Sequence, residues 1–348
     1  MSAKPARVRV GVIGCGVIAY WTHLRELGSI PGVQLLAACD PDPAARERAA
    51  KLSAVRTYAD SDELLAQSDI DAVIISAPTH LHAQLGSAAA QARKHFYLEK
   101  PIAITAAEGG QLIAAAKESG VHAAAGFNRR CHPLFIQAKE LISGGAIGKV
   151  RSVFTAFTEP IATDVMPTWK RLRSTGGGVL LDLFSHHADL LRWFLEDEAA
   201  SVEAKIDSIS TEGDEARVGV LMGRGVAAQS YFSFRVGRSD FMEFIGELGT
   251  LRVDRHRPAL DLRLARRWGY GVRGVFVPPN KDVAWWRMRR LASPSYEPSY
   301  RIALKEFVKG IRGQDSRGAS LLDGLRSLQI VLGAEESART ERPVNLLG

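Results

Sequence analysis

Hydrophobic positions in the first 126 residues form short runs that alternate with longer amphipathic stretches. Short apolar runs are typical of strands buried on both faces, and the amphipathic stretches have helical spacing. The predicted strands are Val8–Ile13, Val33–Cys39, Ala72–Ser76, His95–Leu98 and Val121–Ala125. The predicted helices are Val17–Leu27, Ala44–Leu52, Leu81–Arg93 and Ala106–Ser119. Strands that alternate with helices indicate βαβ units, so we expect a doubly wound parallel sheet with helices on both faces.

The pattern changes after Gly126, where strand-like runs follow one another with short turns between them. These runs are Val150–Thr158, Ser201–Ser210, Ala216–Met222, Val226–Phe234, Phe241–Gly246 and Thr250–Val253. Helices are predicted at Leu134–Ile142, Val179–Phe194, Tyr300–Ile311 and Leu321–Arg339. Consecutive strands with short turns are typical of an antiparallel sheet. We therefore predict an α/β chain of two domains, residues 1–126 and residues 127–348.

The composition excludes several classes of protein. The chain has 348 residues, of which 46% are hydrophobic and 24% charged, so a disordered, collagen-like or coiled-coil protein is not indicated. No apolar window is long enough for a membrane-spanning helix, and the residues before the first strand lack a signal-peptide pattern, so we expect no export. The cysteines Cys15, Cys39 and Cys131 are far apart and lack metal-site spacing, which indicates a reducing cytoplasm.

The net charge of +7 is unevenly distributed. Residues 252–290 contain eleven Lys or Arg and three Asp or Glu, so the rest of the chain is nearly neutral. Tryptophans and arginines alternate between Trp285 and Arg290, a pattern that suits a membrane interface, a nucleotide sugar or a subunit contact. We favour a solvated, partly irregular excursion with ordinary packing. No nucleic-acid recognition motif is present, so we expect no nucleic-acid partner.

A glycine-rich turn, Gly14-Cys15-Gly16-Val17-Ile18-Ala19, lies between the first predicted strand and the first predicted helix. Gly14 permits the tight turn, Gly16 lets the backbone approach a pyrophosphate, and Ala19 keeps the helix close to the sheet. The free N–H groups and the dipole at the start of the helix would stabilise the anion. The turn therefore predicts a dinucleotide-binding domain.

Asp40 ends the second predicted strand, 24 residues after Gly16. A carboxylate there can accept both ribose hydroxyls of the adenosine and would repel a 2′-phosphate, so we expect NAD rather than NADP. The alternative is that Asp40 only begins an Asp-Pro turn.

Lys100 follows the strand His95–Leu98, between Glu99 and Pro101. Ligands of parallel sheets bind at the carboxyl ends of the strands, so we expect Lys100 to point into the cofactor crevice. A lysine near an oxidised nicotinamide ring would be shifted towards its neutral form and could orient a substrate hydroxyl or transfer its proton. The alternative is an exposed lysine that pairs with Glu99.

Asp182 and His186 are four residues apart in an otherwise apolar helix, so α-helical spacing places them on one face. A buried carboxylate and imidazole require a reason. They could form a proton-transfer pair, join a metal site with His187, Asp189, Cys131 or His132, or simply pair with each other and with backbone donors. We read His187 as a packing or capping residue and Asp189 as an orienting or ion-pairing residue.

Together these segments resemble the Gfo/Idh/MocA family of NAD(P)-dependent oxidoreductases, over nearly the whole chain. The matching segments are GVIGCGVIA, Glu99-Lys100-Pro101, GFNRRCHP, GGGVLLDLFSHHADLLRW and SLLDGLRSLQIVLGAEESARTERPV. The resemblance implies a Rossmann domain followed by an α/β domain with a large, mostly antiparallel sheet, whose open face often forms dimers or tetramers. It implies sugars, cyclitols or their phosphate and nucleotide derivatives as substrates.

The resemblance also assigns residue roles. Lys100, Asp182 and His186 match the family's catalytic positions, Asn128 and Arg129 match positions near the nicotinamide and substrate, and His82 matches a structural histidine. The predicted cofactor contacts are Gly14, Gly16, Val17, Ile18, Asp40, Ser76, Pro78, Glu99 and Lys100. The predicted substrate contacts are Lys100, Asn128, Arg129, Asp182 and His186. Two departures, Phe184 in place of a common glycine and His132 in place of a common acidic residue, bear on the substrate and remove no catalytic group.

The implied reaction is the reversible oxidation of a secondary alcohol on a sugar or cyclitol. His186 would take the hydroxyl proton, Lys100 would hold the same oxygen, and Asp182 would orient the substrate hydroxyls and the imidazole. We expect no metal, because Lys100 can supply the positive charge beside the developing alkoxide. The alternatives are a glycosidase that uses bound NAD transiently and a non-catalytic, cofactor-sensing regulator.

Overall fold

Sixteen strands and ten α-helices lie in the residues that the computed structural model describes, 7–265, 271–293 and 296–347. The strands β1 to β16 are Val8–Ile13, Val33–Cys39, Arg56–Tyr58, Ala72–Ile75, His95–Leu98, Ala123–Ala125, Val150–Thr158, Ala199–Asp207, Glu215–Met222, Ala227–Ser233, Ser239–Gly246, Gly249–Asp254, Asp261–Ala265, Val272–Val275, Ala319–Ser320 and Val344–Asn345. The helices α1 to α10 are Leu24–Leu27, Pro43–Ser53, Ser61–Leu65, His82–Gln91, Ala106–Ser119, Pro133–Ser143, Ser185–Leu195, Lys281–Ala292, Ser299–Ile311 and Leu321–Thr340.

The chain divides into two compact units. The first contains Met1–Cys131 and Ser299–Leu328, and the second contains His132–Pro298 and Gln329–Gly348. The sequence prediction assigned every residue after 126 to the second domain, whereas α9 packs in the first. The reason is burial, because Leu304 and Phe307 of α9 belong to the same apolar core as β1.

The first unit contains a seven-stranded sheet in the order β15-β6-β5-β4-β1-β2-β3. All neighbours are parallel except the short β15, which is antiparallel to β6. Val10, Val12 and Ile74 in the central strands are fully buried, as expected of a parallel sheet with helices on both faces. The predicted doubly wound sheet is thus confirmed, and the short elements β3 and α3 are additions that the apolar pattern did not reveal.

The second unit contains a nine-stranded sheet in the order β14-β13-β12-β11-β7-β10-β9-β8-β16. Every pairing is antiparallel except that of β7 with β10, so the predicted, mostly antiparallel sheet is confirmed. One face packs on helices: Phe194 of α7 contacts Phe135 of α6 and Phe244 of β11. The opposite face presents side chains such as Phe154 and Leu221, which are both exposed.

The basic segment 252–290 is more regular than we expected. It includes β13, β14 and most of α8, although its residues 266–270 lie outside the described residues. Asn280 caps α8 by accepting a hydrogen bond from the backbone N–H of Val283, and Trp286 is buried. The sequence analysis did not predict this helix, because its arginines interrupt the pattern of apolar residues. In the described part of the chain, no helix combines the length and apolar character needed to cross a membrane.

Candidate functional site

The strand register of the first sheet places five residues at one edge of the sheet. Four of them are predicted cofactor contacts, and the fifth follows the neighbouring strand. Ile13 pairs with both Cys39 and Ile75, and the pairing continues through Leu98 to Ala125. Each of these residues ends a strand. The residues that follow them are Gly14, Asp40, Ser76, Glu99 and Gly126, which we call the strand-end edge. This is the edge at which parallel α/β sheets bind ligands.

Gly14 and Gly16 shape the turn at this edge. Gly14 has φ +88°, and a Cβ there would lie 2.5 Å from the carbonyl oxygen of Ser76, so only glycine fits. A Cβ on Gly16 would meet no protein atom within 4 Å. Val17 and Ile18 beyond it are both exposed. The turn therefore leaves open space beside a helix start, as a dinucleotide pyrophosphate requires.

Asp40 ties the glycine turn to the second strand. Its Oδ2 accepts a hydrogen bond from the backbone N–H of Cys15 at 2.8 Å, and its Oδ1 accepts one from Asp42 at 2.9 Å. Asp40 thus forms the Asp-Pro turn that we gave as the alternative and also reaches the glycine-rich turn. A carboxylate has about four acceptor positions, so two bonds leave acceptor capacity for a ribose.

The segment around Lys100 is held by two buried histidines. Nε2 of His23 lies 2.9 Å from Oε1 of Glu99. His82 is buried between the carbonyl oxygens of Pro101, 2.6 Å from its Nδ1, and Ala77, 2.8 Å from its Nε2. Burial lowers the pKa of His82 and outweighs the two carbonyl acceptors, which raise it. This supports the structural role predicted for His82.

Asn128 and Arg129 lie buried in a 3₁₀ turn after β6, within the first unit. The side-chain amide of Asn128 donates a hydrogen bond to Oγ of Ser299 at 2.7 Å. The next residue, Arg130, forms an ion pair with Asp323 at 3.1 Å. Burial raises the pKa of Asp323, but Arg130 and the hydrogen bonds from Ser320 outweigh burial, and the pKa is lowered overall. The turn is therefore anchored by α9 and α10.

In the second unit, Asp182 is paired with a lysine that the sequence analysis did not single out. Nζ of Lys170 lies 2.7 Å from Oδ2 of Asp182, with both side chains mostly buried. Burial lowers the pKa of Lys170, but the charge of Asp182 and the hydrogen bond to it outweigh burial and raise the pKa above 10.5. The pair therefore holds an ammonium against a carboxylate.

Gly177 explains how the chain brings Lys170 to Asp182. A Cβ on Gly177 would lie 2.3 Å from the carbonyl oxygen of Lys170 and 2.8 Å from that of Leu172. The loop before the helix can approach this closely only because residue 177 has no side chain. The run of three glycines before Val179 is the sequence feature that indicates a close contact with the loop containing Lys170.

The helix that carries Asp182 and His186 is not a regular α-helix. Leu180–Phe184 forms a π-helical turn, and α7 begins at Ser185. The face that we assigned to Asp182 and His186 assumed α-helical spacing, which does not hold across this wider turn. Such turns occur frequently at functional sites. We use the name α7 cluster for the ion pair of Lys170 with Asp182 together with His186, which follows Asp182 in the same helical segment.

His187 lies in the core, as its predicted packing role requires. Its Nδ1 lies 2.9 Å from Oγ1 of Thr155 and its Nε2 lies 3.3 Å from Oδ1 of Asp240. Arg255 donates a hydrogen bond to the other oxygen of Asp240 at 2.7 Å. His186, the preceding residue, is 8% exposed and its ring centroid lies 6.2 Å from that of Phe157. The two adjacent histidines therefore have different surroundings.

Sequence reasoning missed His23, Lys170 and Asp240. Each is identified by a partner distant in the sequence and not by a local motif. Within the described ranges, no group of three or more His, Cys, Asp or Glu side chains is arranged to hold a metal ion.

Comparisons with known proteins match both units to models of one family. Residues 8–127 match the family model described as "Oxidoreductase family, NAD-binding Rossmann fold", and residues 135–252 match "GFO/IDH/MocA C-terminal domain". The scyllo-inositol 2-dehydrogenase (NAD(+)) of Bacillus subtilis is 32% identical, over 98% of this chain and 96% of the relative. The myo-inositol 2-dehydrogenase of Thermotoga maritima is 28% identical, over 97% of this chain and 98% of the relative.

A solved structure shows the same fold. The WlbA dehydrogenase of Bordetella pertussis, in complex with NADH and UDP-GlcNAcA, superposes with a TM-score of 0.83 at 22% identity, over 99% of each chain.

Proposed function

Because the chain belongs to the GFO/IDH/MocA family of oxidoreductases, we propose that it oxidises a secondary alcohol of a sugar or cyclitol, reversibly and with NAD. The observation that carries this proposal is the α7 cluster, in which Lys170 holds the carboxylate of Asp182 four residues before His186. An ionised carboxylate with an imidazole suits hydroxyl recognition and proton transfer. The inositol 2-dehydrogenases among the relatives support the substrate class.

The strand-end edge fits NAD. The open space beside Gly16 would receive the pyrophosphate, and the carboxylate of Asp40 would receive the adenosine ribose. The remaining cofactor contacts that we propose are Val17, Ile18, Ser76, Pro78, Glu99 and Lys100. When bound, NAD supplies the acceptor for the hydride that leaves the carbinol carbon. The negative charge of Asp40 supports a preference for NAD over NADP, since a 2′-phosphate would be repelled.

The α7 cluster and Lys100 are proposed to act on the substrate. His186 takes the hydroxyl proton as the carbonyl forms, and Lys100 is the second proposed catalytic group, whose positive charge would stabilise a developing alkoxide. Asp182 accepts hydrogen bonds from substrate hydroxyls, and the ammonium of Lys170 lies against its carboxylate. Asn128 and Arg129 are proposed substrate contacts. In the reverse direction His186 returns the proton to the alkoxide oxygen.

The open face of the second sheet is the proposed surface for a homodimer or homotetramer. Leu221, Ala227, Ser152 and Ile245 lie side by side in register across four strands of this sheet. The neighbouring Phe154 is 45% exposed. Leu221, Ala227 and Ile245 of this row are apolar, and apolar side chains on an uncovered face favour association with a second copy. The three free, buried cysteines support the proposed cytoplasmic location.

The test is a panel of free, phosphorylated and nucleotide-linked sugars and cyclitols, incubated with the protein and NAD and followed by the absorbance of NADH. We expect net NADH with a free or derivatised cyclitol or sugar. Cleavage of a glycoside without net NADH would instead identify a glycosidase with transient use of NAD. Tight NAD binding with no turnover across the panel would identify a regulator and contradict the proposal.

A further inference from the structure

Exposed large apolar side chains are concentrated in residues 271–293. Among the described residues there are seventeen such side chains, and five of them lie in this stretch: Val272, Phe276, Trp285, Met288 and Leu291. Met288 is 70% exposed and Leu291 is 88% exposed. Both belong to α8, a helix that neither the strand-end edge nor the α7 cluster uses. Clustered exposed apolar side chains mark interaction sites.

One face of α8 is firmly packed. Val283 and Trp286 are buried. The Trp286 ring contacts the edge of His132, with ring centroids 4.8 Å apart, and Arg290 lies over Trp286 at 5.1 Å. These contacts hold α8 in place from one side, so its exposed side chains are presented by a fixed helix.

The outward face of α8 carries both apolar and basic side chains. At about 100° of rotation per residue, Trp285, Ala292, Leu291 and Met288 lie about 100° to 160° away from Trp286. Lys281 lies among them and Arg289 at their margin, and both are exposed. We call these six residues the α8 face.

The charge of this stretch is mainly positive. Residues 271–293 contain five Lys or Arg and one Asp or Glu. The guanidinium of Arg289 lies 5.3 Å from the ring centre of Trp285 and 5.7 Å from that of Tyr296. The structure therefore combines exposed aliphatic side chains, a half-exposed tryptophan and arginines stacked on aromatic rings.

We propose that the α8 face docks on an anionic phospholipid surface. A basic helix with tryptophan and aliphatic residues on its outward face can insert those residues at the headgroup boundary while Lys281 and Arg289 bind lipid phosphates. Charge complementarity favours this occupant over a second copy of the chain, because two copies would bring like charges together.

The test uses the full-length protein and vesicles of phosphatidylcholine with or without phosphatidylglycerol. We expect the protein to sediment with the anionic vesicles at low salt and to be released at high salt, since salt screens the charges. We also expect the tryptophan emission to shift to the blue with anionic vesicles only. Absence of binding to the anionic vesicles, or equal binding to pure phosphatidylcholine, would overturn the proposal.

The decisive variant is Met288→Glu with Leu291→Glu, since both side chains are exposed and the fold does not depend on them. The matched control is Ile209→Glu with Leu322→Glu, which adds the same charge at exposed positions outside α8.

We expect the α8 variant to bind anionic vesicles about tenfold or more weakly, and the control to bind like the unmodified protein. Equal loss in both variants, or no loss in the α8 variant, would contradict docking through α8. A third outcome would assign the face to a second copy of the chain. In that case the unmodified protein would not bind lipid, and the α8 variant would have a lower native mass than the unmodified protein.

Discussion

The strand-end edge and the α7 cluster are built in different ways. The strand-end edge consists of residues that directly follow parallel strands, and backbone hydrogen bonds such as Gly14 N–H to Cys39 C=O at 2.8 Å hold it together. The α7 cluster depends on one side-chain ion pair between a loop and a π-helical turn. The first arrangement follows from sheet register, whereas the second depends on how a loop folds back on a helix.

This difference explains why the two regions should respond differently to substitution. A backbone-built edge tolerates most side-chain changes, and only residues with a special conformation or an oriented carboxylate matter there. In the α7 cluster each side chain is proposed either to react or to hold its neighbour, so single substitutions should have large effects on turnover.

The largest effect is expected for His186→Ala. A positioned acid–base group contributes about 10²–10⁴-fold to the rate, so we expect kcat to fall by that factor. The affinity for NAD should not change, because the strand-end edge is untouched. Steady-state kinetics and a titration of NAD fluorescence quenching measure the two quantities. A kcat equal to that of the unmodified protein would remove His186 from the mechanism.

Lys170→Met should have the next largest effect, because it leaves the carboxylate of Asp182 without its ammonium partner. We expect kcat/KM to fall by roughly 10-fold or more and the free energy of unfolding to fall by about 1–3 kcal/mol. Lys170→Arg, which keeps the charge, should recover part of both losses. If Lys170→Met and Lys170→Arg behave alike, charge is not what Lys170 contributes.

The same pair predicts a pH dependence of stability. The pKa of Lys170 is raised in the folded protein, so its stabilising contribution is fully present below the ordinary lysine pKa of 10.5 and is lost as pH rises through the raised value. Denaturant unfolding of the unmodified protein on the alkaline side should show this loss, and Lys170→Met should lack it. Parallel profiles for both proteins would contradict the assignment.

Asp40→Ala tests the strand-end edge and should have a moderate effect. It removes the acceptor of two backbone N–H groups and the proposed ribose ligand. We expect roughly 10-fold weaker NAD binding and improved use of NADP relative to NAD. The measurement is kcat/KM with each cofactor. An unchanged ratio of the two values would count against the ribose assignment.

The smallest effect on turnover is expected for His187→Gln, one residue from His186. His187 is buried against Thr155 and Asp240, so we expect a loss of about 1–3 kcal/mol in the free energy of unfolding with kcat unchanged. Thermal unfolding measures the loss of stability, and kinetics at temperatures below the unfolding transition measure kcat. A fall in kcat as large as that of His186→Ala would mean that the buried pair, His187 and Asp240, takes part in proton transfer.

Much of the fold could be predicted from the apolar pattern. Val8–Ile13, Val33–Cys39, His95–Leu98 and Val150–Thr158 are strands with the predicted bounds, and Ala106–Ser119 is a helix with the predicted bounds. Each of these elements contains buried apolar residues. The pattern failed where burial is partial, as in β3, with two exposed residues in three, and in α8, where arginines cover an aromatic core contact.

For the candidate site, the sequence by itself determined the glycine turn, Asp40, and the positions of Lys100, Asp182 and His186 as proposed functional groups. These are local signals, because the backbone around a glycine or the end of a strand is shaped by its immediate neighbours. Only the tertiary structure decided that Lys170 holds Asp182, that His23 lies against Glu99, and that His187 is buried against Asp240. An ion pair or a buried hydrogen bond forms between groups that the fold brings within about 3 Å, and a linear chain carries no local mark of that approach.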